Sequence, residues 1–213
     1  QEFSICTKNL IDKGMKKLIL DLRNNPGGLL SSAIEIADEL LTSDKIILFT
    51  EGNSRERKVY NSSSNGNLHD IELHVLVNEY SASASEIIAG AIQDNNRGIV
   101  IGRRTYGKGL VQEQVLMDDG SVVRLTTSRY FTPSGRCIQI PYDSENNEND
   151  MDNILVRFNN GEFFSRDSIK IDTSKKFLTT DGKVVYGGGG IIPDVFIPID
   201  NDNNYNNNGL LNI

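Results

Sequence analysis

The sequence predicts a mixed α/β (α+β) domain. Two features predict it: strand, loop and helix follow one another twice in the N-terminal half, and beyond Leu110 the apolar residues alternate as in hairpins. The chain opens at Gln1 in a helical pattern. Lys17 to Leu22 (KLILDL) reads as a buried strand, ended by the turn formers Arg23 to Gly28 (RNNPGG). From Leu29 to Leu41, apolar residues at Leu29, Leu30, Ala33, Ile34, Ala37, Leu40 and Leu41 keep the spacing of an amphipathic helix. Strands are expected at Lys45 to Thr50, Arg55 to Tyr60 and Glu72 to Val77, with a polar loop at Asn61 to Asn67. A helix from Ala84 to Asp94, with Ile87, Ile88, Ala91 and Ile92 on its inner face, precedes a strand at Gly98 to Ile101.

Asp118-Asp119-Gly120 is a hairpin turn joining a strand over Leu110 to Leu116 to another over Val122 to Thr127. The remainder is expected to be mostly β. Ser144 to Asn153 and Asn201 to Asn208 are rich in Asn, Asp and Glu, and mobility is expected of both.

The 213 residues, 38% of them apolar, have the makeup of a single globular domain. A formal charge of -7 and a pI of 4.9 argue against nucleic acid or an anionic membrane surface as the main partner. No stretch approaches the ~18 apolar residues of a membrane-spanning helix, and Gln1 to Lys17 lacks the layout of a secretory signal. Cys6 and Cys137 have no CxxC partner, so they support no zinc site; one disulfide or two free thiols both remain open.

Ser83 and Lys108 are the candidate residues for chemistry. Ser83-Ala84-Ser85-Glu86 fits the capping box S-x-x-E, and it equally sets a hydroxyl beside free amides at a helix start, where an oxyanion is stabilised. Lys108 lies in Gly102 to Gly109 (GRRTYGKG), which nearly matches a phosphate loop. Gly109 removes the required hydroxyl, and a strand follows where the motif needs a helix. A Ser-His-Asp hydrolase would need His69, in a polar loop, or His74, inside a strand, and no G-x-S-x-G elbow is present. A neutral lysine amine takes a serine proton without any histidine. On an alternating strand Lys108, Leu110 and Gln112 share a face, so the Gln112 amide can orient the amine. The Pro26-Gly27-Gly28 loop lets backbone amides approach a ligand closely.

Leu20 to Gly28 (LDLRNNPGG), Ser81 to Ile87 (SASASEI), Thr105 to Gly109 (TYGKG) and Tyr130 to Arg136 (YFTPSGR) occur in one order. That order resembles the carboxy-terminal processing, or tail-specific, serine proteases over about Gly14 to Gln139, with a weaker echo at Gly190 to Asp194. The resemblance implies a Ser-Lys endopeptidase on the fold shared with crotonase and the Clp protease. It implies Ser83 as nucleophile, Lys108 as general base assisted by Gln112, and an oxyanion hole from the amides of Ala84 and Gly28, with no metal or other cofactor.

A protein or peptide substrate and an exported location, in the periplasm or cell envelope, are also implied. Tyr80 stands where many members have glycine. The family's PDZ domain and upstream segment have no counterpart here, so the chain is expected to be a single catalytic core, 1–213, from a longer exported precursor. Two other classes compete: a non-catalytic module that binds peptide tails, and a crotonase-like acyl-thioester enzyme.

Overall fold

A computed structural model describes residues 2–141 and 150–200. Four strands form a parallel sheet in the order β1-β4-β5-β10: β1 (Lys17–Asp21), β4 (Glu72–Val77), β5 (Ile99–Gly102) and β10 (Val195–Phe196). A second, antiparallel sheet has the order β3-β2-β7-β6, from β2 (Ile46–Gly52), β3 (Arg55–Asn61), β6 (Leu110–Leu116) and β7 (Val122–Phe131). A small hairpin, β8 (Lys176–Leu178) with β9 (Val184–Tyr186), stands apart from both. The helices are α1 (Glu2–Asp12), α2 (Leu30–Leu40), α3 (Ala84–Asp94) and α4 (Asp150–Asn159). The expected α/β class is therefore observed, with its parallel half first.

The core fills the space between the sheets and around α2 and α3. Ala33, Ala37 and Leu40 of α2 meet Ile87, Ile88, Ala91 and Ile92 of α3 and the buried strand residues Val75, Val77, Val100, Ile47 and Leu48 in one cluster. The helix α3 is buried on every side, not along one face as its apolar spacing suggests. Its polar residues are accommodated because each has a partner, as a buried polar group requires. Gln93 donates to the Ile192 carbonyl (2.9 Å) and to Asp194 (2.8 Å). Asp94 accepts from the buried Arg136 guanidinium at 2.7 Å.

Two expectations change. β7 runs on to Phe131, because its last residues pair with β2 after the hairpin with β6 has ended. Residues 150–153, expected to be mobile, open helix α4, whose buried Ile154 and Arg157 sit three apart on one side. The polar lead-in hid that short amphipathic pattern. The rest of the segments expected to be mobile, 144–149 and 201–208, lies outside the described residues. Both cysteines are free thiols. No described helix is long and apolar enough to cross a membrane.

Candidate active site

Parallel strands β1, β4 and β5 are neighbours, so the loops leaving their C-terminal ends converge on one edge of the sheet. The first loop carries Pro26-Gly27-Gly28, the second leads to Ser83, and the third holds Lys108. They are tied to one another by hydrogen bonds. The Asn24 amide donates to the Asn78 side chain (2.9 Å), which donates back to Asn24 Oδ1 (2.8 Å). Ser81 Oγ donates to the Leu22 carbonyl (2.7 Å), and the Ala82 amide donates to the Asn25 carbonyl (3.0 Å). The Tyr106 amide reaches the Ser81 carbonyl at 3.0 Å, joining the third loop to the second.

Ser83 caps α3 with φ 55° and ψ -115°, a left-handed backbone conformation that non-glycine residues rarely adopt. Holding it there costs about 1 to 3 kcal/mol, which the surroundings offset. Its amide donates to Glu86 Oε2 (2.9 Å), so the glutamate half of the capping box is formed. The Ser83 hydroxyl makes no capping hydrogen bond; the Glu86 and Ile87 amides donate to the Ser83 carbonyl instead, at 2.9 and 3.1 Å. The side chain is thereby left to face the cleft.

Gly27 presses against this turn. Its φ is +97°, and a Cβ added there would lie 2.6 Å from the Ala82 carbonyl oxygen, 2.7 Å from the Ala84 amide nitrogen and 2.9 Å from Ser83 Cβ. Only glycine fits so close to a backbone. A Cβ on Gly28 would meet nothing within 4 Å, because that residue faces the open cleft. Among the described residues, the amides of Ala84 and Gly28 have no internal acceptor, and they border the same space as Ser83.

Two buried side chains fasten the Ser83 and Lys108 segments together. The Glu86 carboxylate, fully buried, accepts from the amides of Ser83 (2.9 Å), Gly107 (2.7 Å) and Lys108 (2.9 Å), and from Thr105 Oγ1. Burial pushes the Glu86 carboxyl up from its ordinary range, while these donors pull it back. From the other side, Tyr130 Oη donates its single proton to the Lys108 carbonyl (2.8 Å), with the Ser83 carbonyl also within reach (3.2 Å). Burial, then the Glu86 charge, raises the Tyr130 phenol well above 10, so it stays a donor.

Ser83, Ala84, Gly28, Lys108 and Gln112 all line one cleft of about 500 Å³, together with Leu29, Leu30, Ile87, Val111 and Tyr130. Two smaller hollows of about 340 and 330 Å³ contain neither Ser83 nor Lys108. Lys108 lies just before β6, after the Gly107 turn (φ 96°), and it lines the cleft together with Leu110 and Gln112. Lys108 is half-buried, and among the described residues its amine makes no hydrogen bond to Ser83 or to Gln112. His69 and His74 lie outside the cleft. The sequence marks Glu86 as a cap; the roles of Asn78, Gly27 and Tyr130 appear only once the loops are brought together. The signal for Tyr130 was its place in β7 directly beside the Lys108 turn, where the Tyr130 amide donates to the Gly109 carbonyl at 2.9 Å.

Known proteins share much of this sequence and fold. A "Probable CtpA-like serine protease" of Staphylococcus aureus is 41% identical over 126 residues, 59% of this chain and 25% of that one. The chloroplastic carboxyl-terminal-processing peptidase 1 of Arabidopsis thaliana is 40% identical over 134 residues, 63% of this chain and 27% of that one. The chain thus spans about a quarter of the length of these curated relatives. The solved photosystem II D1 C-terminal processing protease superposes with a TM-score of 0.61 at 29% identity, over 89% of this chain and 36% of that one. Residues 1–145 match peptidase family S41, which covers the three converging loops and both buried clasps, and the chain belongs to that family.

Proposed function

We propose that the chain is the catalytic core of a serine endopeptidase in which Ser83 and Lys108 form a dyad. The observation that carries this reading is the shared cleft: a strained, uncapped serine, a lysine fastened to the same buried glutamate, and two unpartnered amides border one space.

The neutral Lys108 amine takes the Ser83 hydroxyl proton as Oγ attacks the peptide carbonyl carbon. The amides of Ala84 and Gly28 stabilise the oxyanion of the tetrahedral intermediate. The C–N bond then breaks, and the proton held by Lys108 passes to the leaving amine. Water, deprotonated in turn by Lys108, releases the acyl group from Ser83. General-base contact needs an Nζ···Oγ separation near ~3 Å, so the lysine side chain swings toward Ser83 when substrate is bound. Gln112, across the cleft wall, receives the amine's second hydrogen bond in that position.

Apolar lining from Leu29, Leu30, Ile87 and Val111 suits a peptide segment with apolar side chains. Such segments are exposed near the C-termini of unfolded proteins, which is the substrate class we assign. We place the protein outside the cytoplasm, in the periplasm or cell envelope, and read residues 1–213 as one catalytic unit.

Cleavage of an unstructured peptide with an apolar C-terminus tests the reading. Ser83→Ala should abolish turnover, and Lys108→Ala should reduce kcat by about 10² to 10⁴-fold, the range of general-base catalysis. Unchanged turnover in both variants would end it.

A further inference from the structure

The wall of the Ser83 cleft carries a second cation. Besides apolar side chains, Ser83, Tyr130 and the amides of Gln112 and Gln114, it is lined by Lys108 and Arg124, and no Asp or Glu lines it among the described residues. That is unusual for a chain whose acids outnumber its bases 29 to 22. Glu113, between the two glutamines and on the opposite side of β6 by strand alternation, is committed to Arg55 at 2.8 Å. Arg124 makes no ion pair and no side-chain hydrogen bond among the described residues, and its cross-strand neighbour is the uncharged Gln114. β6 is the edge strand of its sheet, so an extended peptide has room to lie along it.

We propose that Arg124 is a specificity-determining residue that binds a carboxylate of the substrate. A guanidinium presents a planar fork that matches a carboxylate, and in the proposed mechanism Lys108 is neutral, which leaves Arg124 as the fixed charge on the cleft wall. Lys108 and Gln114 are six residues apart, or ~20 Å in extended chain, so the carboxylate lies within about six residues of the bond held at Ser83. It comes from an acidic side chain or from the peptide's own chain end. The inference rests on the peptidase reading for what occupies the cleft and goes beyond it in naming the charge that occupant carries.

Binding is measured on the full chain carrying Ser83→Ala, so that recognition is read apart from turnover. The probes are fluorescein-labelled ten-residue apolar peptides with one Glu moved along the sequence, their Gln counterparts, and each with a free or an amidated C-terminus. A carboxylate-bearing peptide should bind about fivefold or more tightly than its neutral counterpart, with the preference shrinking at high salt. Adding Arg124→Gln should remove the preference, and Arg124→Glu should reverse it in favour of the neutral counterpart. Loss on Glu→Gln exchange assigns the carboxylate to a side chain, and loss on amidation assigns it to the chain end. No binding, equal binding of charged and neutral peptides, or a preference that survives Arg124→Gln overturns the proposal. Failure of the Ser83 chain to cleave a peptide that the Ser83→Ala chain binds selectively overturns the peptidase reading alone.

Discussion

The closest backbone approach in the site is made by Gly27, and it separates two adjacent glycines that read alike in sequence. Gly27→Ala puts a methyl group within 3 Å of three atoms of the Ser83 turn at φ +97°. It should cost about 3 kcal/mol or more in urea unfolding and at least ~10²-fold in peptide turnover. Gly28→Ala meets open space, and its unfolding free energy should stay within about 0.5 kcal/mol of the unmodified chain. The Tyr130 hydroxyl reaches the carbonyls of both Ser83 and Lys108, so Tyr130→Phe should cost about 1 to 3 kcal/mol and, if the proposed dyad operates, about tenfold in kcat.

The same phenol supplies a pH dependence. Because the fold raises its pKa above the unfolded value near ~10, its stabilisation is complete below that value and is lost as pH rises through the folded one. Chemical unfolding measured above pH ~10 should therefore show stability falling more steeply in the native chain than in Tyr130→Phe. Ser83, Glu86 and Lys108 stand out in the sequence because each sits in a short local motif, Ser83 to Glu86 in one and Thr105 to Gly109 in the other. Tyr130 does not, because its role depends on β7 passing beside the Lys108 turn.

At the scale of elements, strands β1 to β7 and helices α2 and α3 followed from apolar period and turn chemistry. Helix α4 did not, since the buried pair Ile154 and Arg157 is too short a pattern to stand out among Asn and Asp. Its Arg157 is buried and donates to the carbonyls of Arg104 (2.7 Å) and Thr105 (3.0 Å) and to Glu162 (2.8 Å), which also pairs with Arg104. A segment beyond the family match thus braces the loop that bears Lys108. Arg157→Met should cost about 3 kcal/mol, because it strands buried carbonyls and part of an ion pair. Hydrogen exchange at the Gly107 and Lys108 amides should accelerate in the same variant. Full protection there would show that Glu86 alone holds the loop.

In the whole molecule, a parallel half supplies three converging loops and an antiparallel half closes the cleft over them. The chain's net charge of -7 said little about this site, whose wall is locally basic. The central claim is that Ser83 is a nucleophile activated by Lys108. Its most direct test is the intact mass and peptide map of the chain after brief exposure to a p-nitrophenyl ester of an apolar acyl-amino acid. The account predicts one acyl group on Ser83, absent in Ser83→Ala and formed at least ~10²-fold more slowly in Lys108→Ala. Acylation elsewhere, or at Ser83 with a rate that Lys108→Ala leaves unchanged, would contradict it.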